Sequence, residues 1–217
     1  MVTYEATYEG TKVAIPGRAA AWELLVEHTR QPGLIGHARA VENAMRWYAH
    51  QHGEDEELWG CTGLLHDFDW EIHPTLEEHP SKGAPMLREA GWPEEVIRAI
   101  QSHAPHTGVQ PRTLMEKTLF ACDELAGFVV AVARMRPEGF AGMTPKSVRK
   151  KLKTPSFAAG VSREDVHHGT ELLGIELDEH IRNVIEALTP IGDILLTGAD
   201  GTTHPQDDEP PAEGPPA

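Results

Sequence analysis

The chain has 217 residues, of which 40% are hydrophobic and 24% charged, as is typical of a globular protein long enough to bury one core of domain size. Its formal net charge of −15 argues against a nucleic-acid polymer as a partner over most of the surface. No run approaches the roughly 18 uninterrupted apolar residues of a membrane helix, so no contact with a membrane is expected.

Residues 1–16 form an N-terminal extension whose weak alternation predicts either a small hairpin around Gly10 or an irregular segment. From residue 17 onward, apolar residues recur at helical spacing, and no strong strand pattern or repeat of fixed period interrupts them. The sequence therefore predicts an all-α domain over 17–197, with about eight or nine helices packed together. The predicted helical segments are 18–30, 34–53, 54–67, 79–91, 92–104, 111–137, 144–155, 162–174 and 176–196.

The C-terminal segment 198–217 is rich in proline and acidic residues and has no apolar periodicity. Because such a segment cannot repay the entropy cost of ordering, it is predicted to be a disordered tail.

Two cysteines, Cys61 and Cys122, lie inside apolar runs. This placement is typical of buried thiols and not of a disulfide framework, so a reducing cytoplasm is the expected compartment. The N-terminus also lacks a basic segment followed by an apolar core, so a secretory signal is not expected.

An apolar run that is typical of a protein core ends with a histidine and an aspartate side by side, in the stretch LLHDFDWEIHP over 64–74. Burying His66 beside Asp67 is unfavourable by several kcal/mol unless something compensates both groups. A metal ion is one such compensator. The sequence therefore raises the question of whether other segments supply further ligands.

Four other metal-competent residues lie on predicted helices or at their ends: His37, His79, His103 and Asp123. Each residue alone is weak evidence for a metal site. The alternative for Asp123 is an ion pair with arginine or a hydrogen bond to the backbone. Together with the His-Asp pair they favour a site for one or two divalent ions such as Mn, Fe, Co, Mg or Zn. Most of the 13 histidines, including His180, lie among polar residues and are interpreted as solvated surface side chains.

The order of His37, His66-Asp67 and Asp123 resembles that of the HD superfamily of metal-dependent phosphohydrolases, which is named after its His-Asp pair. The resemblance covers about residues 18–190 and implies the all-helical HD core. It extends to a subfamily of predicted HD hydrolases through the segments 59–74, 77–104, 120–129 and 147–164.

The resemblance implies that His37, His66, Asp67 and Asp123 are the core metal ligands. It also implies a binuclear site, in which His79 and His103 hold a second ion and Asp67 bridges the two. The implied activity is hydrolysis of a nucleotide or another small phosphorylated metabolite, in which a metal-activated water attacks the phosphate ester. Asp67 or Asp69 is the expected acceptor of the proton from that water.

The sequence departs from the family at Trp70, four residues after His66, where many HD proteins carry a substrate-handling lysine or glutamate. Asp69, Glu71 or Lys82 are candidates to replace that function.

A basic cluster over 146–153 is a further candidate for contact with an anionic substrate, and its alternative is one solvated helix face. The predicted substrate-binding residues are Lys82, Arg149 and Lys150.

Two other functions share this ligand set. Some HD-fold proteins with the same six-ligand pattern use a di-iron centre to activate oxygen, and ligand type alone does not separate them from hydrolases. A non-catalytic sensor that keeps the metal as structure is the third hypothesis, against which the complete ligand set argues.

Overall fold

The computed structural model describes residues 3–8 and 11–198 and shows ten α-helices, two short 3₁₀ helices and one β-hairpin within them. The all-α prediction is confirmed. The predicted tail lies outside the described residues from 199 onward. The helices are α1 Arg18–His28, α2 Pro32–His52, α3 Glu56–Leu65, α4 Gly83–Glu89, α5 Glu94–Ser102, α6 Leu114–Arg134, α7 Pro145–Leu152, α8 Arg163–Leu173, α9 Leu177–Leu188 and α10 Gly192–Thr197.

The N-terminal extension pairs β1 (Thr3–Tyr8) with β2 (Thr11–Pro16) as antiparallel strands, in a register that places Tyr8 opposite Thr11. Of the two expectations for this segment, the hairpin is therefore the one observed. Gly10, which was expected at its turn, lies outside the described residues.

Helix boundaries follow local capping chemistry. The carboxylate of Asp55 accepts hydrogen bonds from the backbone N–H groups of Glu57 and Leu58 at the start of α3. Thr113 and Glu116 form a reciprocal capping box at the start of α6. Gly53 ends α2 with φ of 70°, a left-handed conformation that glycine adopts without strain.

The predicted helix over 176–196 is interrupted. Helix α9 ends at Leu188, a 3₁₀ turn spans Thr189–Ile191, and α10 begins at Gly192. Pro190 lies in this turn, and proline both lacks a backbone donor and clashes with the preceding helical turn. The prediction of one continuous helix is therefore wrong at this position.

Two 21-residue helices, α2 and α6, pack against each other, and α3 packs against α2. Every residue from Leu58 to Leu65 is buried, so α3 lies inside the core. Gly63 permits this close packing, because a Cβ at that position would lie 2.9 Å from the carbonyl oxygen of Val41 on α2. The end of α3 is thereby held against α2. No helix in the described chain combines the length and the hydrophobicity needed to cross a lipid bilayer.

His180 is fully buried, so its interpretation as a solvated side chain is wrong. Its Nε2 donates to the carbonyl oxygen of Ala121 at 2.9 Å, and the Tyr48 hydroxyl lies 2.7 Å from its Nδ1. The amide of Asn183 donates to the Tyr48 hydroxyl at 3.1 Å. These bonds join α9 to α2 and α6, and burial lowers the pKa of His180 to about 4. Helical periodicity predicted the helix but not which polar side chain would face inward.

The buried imidazole predicts an acid-sensitive contribution to stability. Because His180 is neutral when folded and has an ordinary pKa of 6.5 when unfolded, the unfolded state binds the extra proton. The free energy of unfolding should therefore fall as pH drops from 6.5 to 4, by up to roughly 3 kcal/mol from this group.

Urea denaturation of the chelator-treated protein across this pH range measures the effect. His180→Gln should show a shallower pH dependence than the wild type, whereas His50→Gln, at an exposed site on α2, should keep the wild-type slope. Equal slopes for all three proteins would contradict a buried neutral His180.

Candidate metal centre

The six predicted ligands come from five segments of the chain that meet in the interior. His37 lies near the start of α2 and Asp123 in the middle of α6, whereas His66 and Asp67 directly follow α3. His103 directly follows α5, and His79 lies in the loop before α4. The candidate ligand atoms form two groups, each with its atoms within 4.8 Å of one another: the first triad, His37, His66 and Asp123, and the second triad, Asp67, His79 and His103.

The first triad brings two imidazoles and one carboxylate oxygen to a common point. Asp123 Oδ1 lies 2.9 Å from His37 Nε2 and 3.3 Å from His66 Nε2, and the two Nε2 atoms are 3.1 Å apart. Donors bound to one ion through bonds of about 2.1 Å, at right angles, lie about 3 Å from each other. The spacing of the first triad therefore fits the ligands of one divalent ion.

The second triad also combines two imidazoles with one carboxylate, and that carboxylate, Asp67, faces the first triad as well. Asp67 Oδ1 lies 3.1 Å from His79 Nε2 and 3.4 Å from His103 Nε2. The other oxygen of Asp67, Oδ2, lies 3.4 Å from His66 Nε2 and 3.8 Å from His37 Nε2. Asp67 therefore has one oxygen facing each triad, which is the arrangement of a bridging carboxylate.

Three of the four histidines have a fixed partner at Nδ1. His66 Nδ1 donates to the carbonyl oxygen of Gly63 at 2.8 Å, and His103 Nδ1 donates to that of Ile100 at 2.5 Å. His79 Nδ1 lies 2.7 Å from Asp69 Oδ1. Because each partner is an acceptor, Nδ1 carries a proton, so in the neutral form of the ring Nε2 has the lone pair and directs it at its triad.

The cluster attracts positive charge. Burial lowers the pKa of His66, but the carboxylates of Asp67 and Asp123 outweigh burial and hold that pKa well above its ordinary value. Burial likewise opposes protonation of His79, yet hydrogen bonds to Asp67 and Asp69 raise its pKa to about 9. The pKa values of Asp67 and Asp123 lie below their usual range despite burial, because of the neighbouring histidines. A divalent ion would supply the positive charge that protons otherwise supply, so the residues fit a metal.

A cavity of about 620 Å³ opens onto both triads, and its size suits a small molecule. Among the described residues that line it, none is lysine or arginine. Its wall beyond the predicted ligands is partly apolar and partly acidic, and it also includes His106, whose Nε2 donates to the carbonyl oxygen of His79 at 2.7 Å. The residues of that wall include Trp70, Leu76, Phe120, Glu124, Val161 and Asp165.

Three residues near the His-Asp pair take different positions. Trp70 lines the cavity, and its ring makes a T-shaped contact with His79 at a centroid distance of 5.1 Å. Asp69, a predicted proton acceptor, is fully buried and does not line the cavity. Glu71 accepts hydrogen bonds from the backbone N–H groups of Arg30 and Gln31.

The structure does not bring the three predicted substrate-binding cations to the cavity. Lys82 pairs with Glu78 at 3.0 Å, and Arg149 pairs with Asp178 at 3.1 Å. Lys150 lines a separate cavity of about 300 Å³. Their role in substrate binding stays a prediction, and no contact in this geometry supports it.

Two acidic residues of the cavity wall were not predicted. Glu124 follows Asp123 on α6, and burial together with the charge of Asp123 raises its pKa to about 7. Asp165 lies in the first turn of α8, where an acidic residue is already explained by the partial positive charge of the helix N-terminus. The sequence therefore carried no separate signal for Asp165, and for Glu124 only its position beside Asp123.

The family model of the HD domain matches residues 34–127, a segment that contains all six residues of the two triads. No solved structure matches the chain.

The raised histidine pKa values predict that metal binding weakens on acidification. Protons already compete for His66 and His79 near neutral pH, so metal affinity should fall as pH drops and protonation becomes more complete. Manganese-loaded protein dialysed at pH 8, 7, 6 and 5 should show a decreasing metal-to-protein ratio by elemental analysis. Circular dichroism at each pH controls for unfolding, and an unchanged ratio at pH 5 would contradict the histidine ligands.

Proposed function

Because residues 34–127 are an HD domain, we propose that the protein is a metal-dependent phosphohydrolase that acts on a small phosphomonoester, such as a nucleoside monophosphate. The observation that carries the proposal is the position of Asp67, with one oxygen toward each of two triads at the base of a cavity of substrate size. We further propose that His37, His66 and Asp123 hold one divalent ion, and that His79 and His103 hold a second with Asp67. Mn, Fe, Co, Mg and Zn are the candidate metals.

Divalent ions at such a site lower the pKa of water and stabilise the charge of the leaving oxygen. The side chains of the protein supply position and proton transfer. Of the two carboxylates predicted to accept a proton, Asp67 lines the cavity, and Asp69 is sealed from it. Asp69 therefore requires a different role, and Asp67, whose two oxygens face the two triads and whose pKa lies below its usual range, is better suited to binding metal than to accepting a proton.

The charges in the cavity support a substrate with a single phosphate group. Two divalent ions balanced by Asp67 and Asp123 would leave a net positive charge that matches one phosphate. In the described part of the chain, no lysine or arginine lines the cavity to meet a second phosphate, and the one further histidine, His106, donates from Nε2 to the carbonyl oxygen of His79. Additional phosphates would instead approach Glu124 and Asp165, at a cost from like-charge repulsion.

The leaving group is proposed to lie against the apolar wall. Trp70 stands where many relatives of the family place a charged residue, and Phe120 and Leu76 extend the apolar surface on the same cavity. A planar or apolar leaving group fits such a wall, since aromatic side chains bury large areas and stack on flat groups.

The remaining proposals concern location and partners. Cys61 and Cys122 are both buried and free, as a reducing compartment allows, and we propose the cytoplasm as that compartment. A small phosphorylated metabolite is the proposed partner, and a nucleic-acid polymer or a membrane surface is not.

Hydrolysis is tested with purified protein loaded with each candidate metal and a panel of phosphomonoesters and phosphodiesters. Asp123→Ala should lower kcat/KM by at least about 100-fold, because it removes the carboxylate of the first triad. Glu77→Gln, at an exposed site, should leave kcat/KM unchanged.

A filled metal site that turns over no phosphate ester would contradict the proposal. Iron content together with oxygen consumption, and a mixed-valence signal in electron paramagnetic resonance, would instead identify an oxygenase. A filled site with neither activity would favour a sensor.

Substrate charge is tested with the mono- and triphosphate of one nucleoside at fixed free metal concentration. The triphosphate should have a kcat/KM lower by about tenfold or more, because its additional charges face the acidic wall. Asp165→Asn should bring the kcat/KM values of the two substrates closer together while metal content stays constant. Equal kcat/KM values for the two substrates would contradict the charge argument.

A further inference from the structure

Asp69 is a buried carboxylate with one side-chain partner. Its side chain is completely shielded from solvent, and Oδ1 lies 2.7 Å from His79 Nδ1. Its second oxygen, Oδ2, is buried and has no hydrogen-bond partner among the described residues. An ionised carboxylate in such a place is unfavourable for folding, so its single contact is the observation to explain.

The surrounding structure holds this carboxylate in place. A Cβ on Gly83 would lie 2.7 Å from both Cγ and Oδ2 of Asp69, so the close contact requires glycine at the start of α4. The preceding residue, Phe68, is fully buried, and its carbonyl oxygen accepts a hydrogen bond from the Thr29 hydroxyl at 2.9 Å. The Asp69 side chain is thus fixed between two packed segments and aimed at His79.

His79 differs from the candidate ligands His66 and His103 in the group that its Nδ1 contacts. His66 and His103 each follow the last residue of a helix, and each donates from Nδ1 to the carbonyl oxygen three residues earlier. Such carbonyls in the last helical turn lack an intrahelical partner and are available as acceptors. His79 lies in a loop, outside any helix, and its Nδ1 meets a carboxylate instead.

We infer that Asp69 is a positioning residue of the second triad, which holds His79 with Nε2 toward Asp67 and His103 and strengthens its bond to a divalent ion. A charged acceptor at Nδ1 fixes the ring orientation and the tautomer, and it increases electron donation from Nε2. Removal of such a partner typically weakens metal binding about 10- to 100-fold. This inference rests on the proposed metal centre.

The test titrates metal-free protein with manganese and counts bound ions by native mass spectrometry, with no activity measurement. Asp69→Asn keeps the shape of the side chain and removes its charge. It should weaken one of two binding events by about 10- to 100-fold and leave the other unchanged. Glu77→Gln removes an exposed carboxylate from the same loop and should bind both ions as the wild type does.

A second variant tests the inference independently in case Asp69→Asn fails to fold. Gly83→Ala keeps the charge of Asp69 but crowds its carboxylate, and it should weaken the same binding event by a smaller factor. Thermal unfolding of each metal-free variant separates a general loss of stability from a selective loss of one ion.

The outcomes separate the inference from the proposed function. Unchanged binding of two ions by Asp69→Asn, or equal weakening of both events, would overturn the positioning role and leave the metal centre intact. Wild-type protein that binds only one ion, with the same affinity in Asp69→Asn, would also overturn it. Wild-type protein that binds no divalent ion would instead overturn the proposed function.

Discussion

The placement of Asp67 between two pairs of histidines is the constraint on which the rest of the site depends. Its two oxygens face different triads, so one carboxylate connects histidines from α2, the ends of α3 and α5, and the loop before α4. A half-buried carboxylate surrounded by imidazoles favours positive charge between them. The pKa values of His66 and His79 are raised because protons supply this positive charge when no metal is bound. A divalent cation would supply the same charge and would be held by ligands in fixed positions.

Helix ends do much of the positioning at this site. His66 and His103 use carbonyl groups of their own helices, Gly63 and Ile100, to orient their rings. The helices are rigid because they are packed in the core, and α3 is buried along most of its length. This arrangement directs the ligands without a dedicated side chain for each, and His79, which lies outside any helix, bonds to the buried carboxylate of Asp69.

The cavity wall beyond the metal centre differs from the centre in its charge. The metal centre would carry the positive charge, and the described cavity wall beyond it has apolar and acidic residues and one histidine, His106, but no lysine or arginine. The chain has basic residues near α7, but Arg149 is paired with Asp178 on α9. Charge attraction from the protein surface therefore has no support in this geometry, and under the proposed function the substrate would be selected by its size, its shape and a single phosphate.

The sequence by itself determined most of the helices, because helical periodicity is a local property of the chain, and the order of its His and Asp residues identified the candidate ligands through resemblance to the HD superfamily. Only the tertiary structure decided which side chains that are distant in sequence lie in contact. It turned His180 into a buried hydrogen-bond partner of Tyr48, sealed Asp69 behind His79, and placed Asp165 on the cavity wall and Lys82 away from it. These outcomes depend on packing between helices far apart in sequence, which sets the environment of each polar group and which no local pattern encodes.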